Sequence, residues 1–191
     1  MAPASRYRIA VLWSVATLGL AGLHLGHEHF NGGVRAHHLL ADPDLPLISN
    51  WLELAVLPVL GWLFGARVGR LRGLGSPRRP GAPRSLWLAF GGALAYGALL
   101  ASGFETGASD LTSALFFALF LIAVALPVYR AEYVLGFVLG MTFTFGGVLP
   151  ALIASVFVIL SLAVRLVARA AVWAVRVLRR RTAGRITRPN N

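Results

Sequence analysis

Long uncharged apolar runs, separated by short breaks that carry prolines, glycines or arginines, form the dominant pattern of this chain. Residues 9–25, 48–66, 85–104 and 111–129 each approach the roughly 20 apolar residues that a helix needs to cross a bilayer core about 30 Å thick. A fifth run, residues 133–164, carries no charge and would reach roughly 48 Å as one straight helix. Gly146-Gly147 followed by Pro150 offers a break, which divides it into spans 133–149 and 150–166. The arginine-studded stretch beyond can continue the last helix out of the bilayer, its side chains reaching towards phosphates. Arg6 and Arg8 ahead of the first run also fit a signal peptide, but Ala21-Gly22-Leu23 makes a poor cleavage site, so a retained helix is expected.

Composition supports the same class. Of 191 residues, 57% are hydrophobic and 13% charged, and the mean hydropathy is +0.71. A soluble domain carries about a quarter charged residues. The length accommodates a single membrane domain over residues 1–191. All 18 cationic side chains are arginine, a bias expected of a GC-rich bacterial genome. With six spans every arginine except Arg35 falls on one side, and every acid except Glu132 on the other. The positive-inside rule then predicts an all-α, polytopic helix bundle of six transmembrane helices, both termini cytoplasmic, in a bacterial inner membrane. Residues 67–84 form a basic cytoplasmic linker rich in Gly, Pro and Arg, and residues 167–191 a basic tail.

A net charge of +11 is compatible with nucleic-acid binding, but these arginines punctuate apolar runs instead of forming a basic face with interleaved aromatics. The expected partner is membrane lipid, and no nucleic acid. Absence of cysteine removes disulfides, thiolate ligands and cysteine nucleophiles. Gly136 and Gly140 make a GxxxG pattern that allows close helix approach, inside the bundle or in a homo-oligomer.

The chemistry concentrates in one place, because all five histidines lie between positions 24 and 38. Ser14, Thr17, Ala21, His24 and Glu28 recur at helical spacings of three or four and form one stripe, with His27 beside it and His29 turned away. Asn31-Gly32-Gly33 then supplies a turn that brings back His37 and His38, and the proline-stiffened Asp42-Pro43-Asp44-Leu45-Pro46 leads to Asn50 and Glu53 at the start of the second span. Imidazole with carboxylate is a ligand set for zinc, non-haem iron, manganese or Cu(II), whereas Cu(I) favours Met and Cys. A divalent transition metal (zinc, iron or copper) is therefore expected on His24, His27, His37, His38 and Asp42, with Glu53 or Glu28 as general base. His24-Leu25-Gly26-His27-Glu28 reads H-x-x-H-E, which is neither H-E-x-x-H nor H-x-x-E-H. The lack of histidine in spans two to six argues against haem b.

These residues predict a small membrane-embedded metal-dependent enzyme, its site on the extracytoplasmic side, hydrolysing or oxidising a lipid-like substrate. The alternatives are a metal-ion or proton transporter with an external histidine capture site, and a non-catalytic metal-binding subunit of a membrane complex. Glu105 is a further candidate ligand. Asp110 is placed to cap the fourth helix, whose Phe- and Leu-rich run should face lipid, and Ser49 and Ser109 read as caps. Arg130 and Glu132 should lie exposed or pair locally. Tyr96, Thr142 and Thr144 either line a cavity or bond to nearby backbone.

Overall fold

A computed structural model describes residues 3–38, 44, 46–73 and 83–186, with backbone alone at 3–6, 37–38 and 177–186. Six α-helices run through the described residues: α1 (Pro3–Phe30), α2 (Glu53–Gly73), α3 (Arg84–Glu105), α4 (Ser109–Ala125), α5 (Ala131–Phe145) and α6 (Val148–Ile186). Two three-residue strands, β1 (Ala36–His38) and β2 (Leu47–Ser49), join α1 to α2 and pair antiparallel with Ala36 opposite Ser49 and His38 opposite Leu47. Four segments are long and apolar enough to cross a membrane, Tyr7–Phe30, Asn50–Gly73, Arg84–Glu105 and Val148–Arg176, which suggests a membrane protein. The other two helices, α4 and α5, have 17 and 15 residues and are only about 26 Å and about 23 Å long.

Where helices end differently from the sequence expectation, local chemistry accounts for it. The second helix continues to Gly73 because Val68 is buried in a core with Phe64, Leu86 and Leu135. The expected 67–84 loop is correspondingly shorter, and its residues 74–82 lie outside the described ones. Conversely, α4 stops at Ala125, since Leu126 precedes Pro127 and adopts an extended conformation, as residues before proline prefer. Asp110 sits inside the first turn of α4 and Ala108 occupies the capping position. The break between α5 and α6 falls at Gly146, whose φ of 69° favours glycine, and Pro150 stands in the first turn of α6, where its missing N–H costs nothing.

Glycines allow the helices to approach closely. A methyl group at Gly65 of α2 would meet the Ala10 Cα at 2.7 Å, and Gly61 abuts Thr17 and the Trp13 carbonyl. On the other side of the bundle, Gly97 of α3 faces the Phe137 carbonyl, where a methyl would stand 2.5 Å away. Gly136 and Gly140 press on α3 at the Phe90 and Leu94 carbonyls. The GxxxG pattern thus serves packing within the chain. Ser14 adds a polar tie, its hydroxyl donating to the Pro58 carbonyl at 2.9 Å. Around these contacts Ala21, Leu57, Leu100, Val138, Met141 and Phe157 form the principal core. The aromatic run of α4 is largely outward, with Phe117 and Leu121 exposed, while Phe120 stacks edge-on against Phe157.

Candidate functional site

The stripe along α1 is buried where the spacing places it: Thr17, Ala21, His24 and Glu28 are all covered. His27 and His29 lie on the exposed side of the same helix. Helical geometry separates them, since a step of three residues from His24 leads past the buried face and a step of four returns to it. After Phe30 the chain turns at Gly32 and Gly33, with φ of 116° and 100°, and the Gly33 amide donates to the Glu28 carbonyl. Arg35, just ahead of β1, turns its backbone amide towards the Glu28 side chain.

Four side chains converge beneath this turn. His24 Nδ1 lies 2.8 Å from Glu53 Oε1, the two being 3% and 0% exposed. The second oxygen of Glu53 accepts the Gly147 amide at 2.8 Å. Glu28 Oε1 accepts the Asn50 side-chain amide at 2.8 Å, and Glu28 Oε2 accepts the Arg35 backbone amide at 3.2 Å. His24 Nε2 faces Glu28 Oε1 at 3.9 Å, beyond hydrogen-bonding distance. Phe143 closes the imidazole edge-on, ring centroids 5.8 Å apart. Gly146 is needed as well as Gly147, because a side chain there would collide with the Asn50 amide.

Two carboxylates taken out of water without donors would each cost several kcal/mol. Here each of the four oxygens has a donor, drawn from α1, the residue ahead of β1, the turn before α2 and the turn before α6. An ionised Glu53 oxygen can only accept, which puts a proton on Nδ1; in the neutral imidazole Nε2 then keeps its lone pair. The arrangement is that of an oriented imidazole: one nitrogen fixed by a buried carboxylate, the other turned towards Glu28.

The structure therefore brings together His24, Glu28 and Glu53, and leaves His27 apart. β1 runs through His37 and His38, and the Asn50 amide donates to the Arg35 carbonyl at 3.1 Å, so this strand is anchored beside the cluster. The side chains of His37 and His38 and the whole of Asp42 lie outside the described residues. Among the described residues no three His, Asp or Glu side chains are arranged to hold a metal ion. Glu105 is exposed and accepts the Thr144 hydroxyl at 2.8 Å, away from His24. Thr142 and Tyr96 donate to the backbone carbonyls of Val138 and Leu115. Ser49 caps the turn at Asn50–Leu52.

Three participants carry no strong mark in the sequence. Asn50 reads as a helix-start residue, and the Gly147 donor belongs to backbone. The third is at the opposite end of the bundle, where buried Glu132 meets Arg67 Nε at 2.5 Å across 65 positions. Its one signal is that Glu132 is the single acid among the arginines of its side. A cavity of about 500 Å³ between α3, α4, α5 and α6, lined by Leu88, Tyr96, Leu119, Phe137 and Phe157, is apolar and is not bordered by the histidine cluster. Comparison with known proteins returns no matching family model, no similar curated sequence and no similar solved structure.

Proposed function

We propose that this chain is a small membrane-embedded metal-dependent enzyme whose working group is His24 Nε2, at the extracytoplasmic end of a six-span bundle in a bacterial inner membrane. The observation that carries the reading is the contact between His24 Nδ1 and Glu53 Oε1, buried on both sides. A carboxylate behind an imidazole fixes its tautomer and orientation and raises its basicity as a ligand. The remaining donors come from the adjoining segment with His37, His38 and Asp42, whose strand is tied to Glu28 and Asn50 through the backbone of Arg35.

Bound there, a divalent metal would supply an acidified water or a polarised substrate oxygen. The chain's own residues orient the imidazole and exclude bulk water. Glu28, whose Oε1 lies nearest Nε2, is the proposed proton acceptor. Exposed apolar surface on every long helix supports a lipid-like substrate that approaches from within the bilayer. A conducting pathway is less well supported: along α2 and α5, between Glu53 and the Arg67–Glu132 pair, fully buried Leu57, Phe64, Leu135 and Val138 fill the interior.

Elemental analysis of detergent-purified protein tests the proposal. A stoichiometric first-row metal is expected in the wild type, falling to background in His24→Gln and His37→Ala. Equal trace metal in all three would overturn it.

A further inference from the structure

The arginine-rich end of the bundle holds a second site, distinct from the His24 cluster. A cavity of about 480 Å³ opens between α2, α6 and the turn before α5. Its floor and one wall are apolar, including Leu60, Leu63 and Ile159, and its rim carries Arg67, Arg70 and Arg130 beside Tyr129. Arg165 of α6 lies over the Tyr129 ring, its guanidinium carbon 5.8 Å from the centroid, with one Nη donating to the Ala125 carbonyl at 3.3 Å. The Arg165 Nε is buried and has no hydrogen-bond partner among the described residues.

Charge at this end is unbalanced. Glu132 is the one acid of the sequence beyond Asp110, and it is already committed to Arg67. Arg70 and Arg130 thus remain as surplus positive charge around one opening, with Arg165 next to it over Tyr129. The apolar wall does not stop at the rim, because Leu63 and Ile159 are 50% and 67% exposed and continue along the outer surface of α2 and α6. A free phosphate would use the arginines and leave that wall in contact with nothing. A phospholipid uses both.

We infer that this cavity binds an acidic phospholipid, its headgroup phosphate against Arg70 and Arg130 and an acyl chain along Leu63 and Ile159. The inference rests on membrane residence and is independent of metal binding at His24. The Arg67–Glu132 pair then has a structural part in the site: it fixes the spacing of α2 and α5 at the rim and leaves Arg70 and Arg130 for the lipid.

Native mass spectrometry of the detergent-solubilised chain, titrated with phosphatidylglycerol, phosphatidylcholine or inorganic phosphate, provides the test. Phosphatidylglycerol should be retained and the other two should not. Arg70→Gln and Arg130→Gln should each weaken retention about fivefold, the size of one arginine contact near a membrane surface. Arg72→Gln, an equal loss of charge on the same helix but off the cavity, should leave it unchanged. Equal retention of phosphatidylcholine would overturn the site by showing no selectivity for the acidic headgroup, an equal loss in Arg72→Gln would overturn it in favour of diffuse attraction, and retention of inorganic phosphate would overturn it in favour of a simple anion site. On the unaltered protein, phosphatidylglycerol carrying a photoreactive headgroup should label peptides containing Arg70 or Tyr129–Arg130. Labelling confined to other segments would equally overturn the inference.

Discussion

Glu53 is fully buried in the first turn of α2, accepts from His24 through one oxygen and from the Gly147 amide through the other. A carboxylate suits this place because it accepts on both sides. In Glu53→Gln the amide oxygen can still accept from Gly147, but the NH₂ group can meet His24 only if the imidazole proton moves to Nε2, which removes the lone pair a metal needs. Metal affinity should therefore fall about 10- to 100-fold, as for other residues behind a ligating histidine. Thermal stability should fall by about 1–3 kcal/mol, with helical content by circular dichroism unchanged. Competition with a chelator measures the first effect, and undiminished affinity would show that Glu53 does not support the ligand. His24, Glu28 and Glu53 were legible in the sequence because polar groups at helical spacing stand out against an apolar run. Asn50 was not, since asparagine at a helix start has an ordinary capping role, and the Gly147 amide leaves no trace in side-chain chemistry.

Among the elements, the pairs α1–α2 and α3–α5 owe their closeness to glycine. Gly140 touches the Leu94 carbonyl of α3, and its neighbours on that helix are backbone atoms that cannot rotate away. Gly140→Leu should accordingly force α3 and α5 apart and lower stability by at least about 1–3 kcal/mol, the usual cost of overpacking. Gly91→Ala, where an added methyl meets nothing within 4 Å, should unfold in detergent at or slightly above the wild-type temperature, alanine being the better helix former. Equal unfolding temperatures for Gly140→Leu and wild type would mean that the helices are not in contact there. Most helix positions were legible from apolar runs, and the division at Gly146-Gly147 from glycine and proline. Helix ends were less so: charge marks where a bilayer stops, whereas α2 ends only after Val68 has packed, and α4 ends four residues early at a proline-imposed extended residue.

Across the whole molecule, α2 is fastened at two depths about 21 Å apart along its axis, by Glu53 to the Gly147 amide and by Arg67 to Glu132. These contacts join residues 94 and 65 positions apart, and no local spacing encodes such a pairing, which is why the sequence pointed to Arg130 and Glu132 as exposed or locally paired. The all-α architecture was legible because composition and run length alone select it. The central claim is narrower and concerns the protein's one concentrated cluster of histidines: Nδ1 of His24 is held by Glu53, and Nε2 is the nitrogen that binds metal. Nitrogen-15 spectra of the intact, histidine-labelled protein in detergent, recorded before and after stoichiometric Zn²⁺ with His24→Gln for assignment, test it most directly. The account predicts that His24 Nδ1 stays protonated throughout while its Nε2 resonance shifts on metal addition. An Nε2 resonance that ignores the metal, or a proton found on Nε2 with Nδ1 bare, would contradict it.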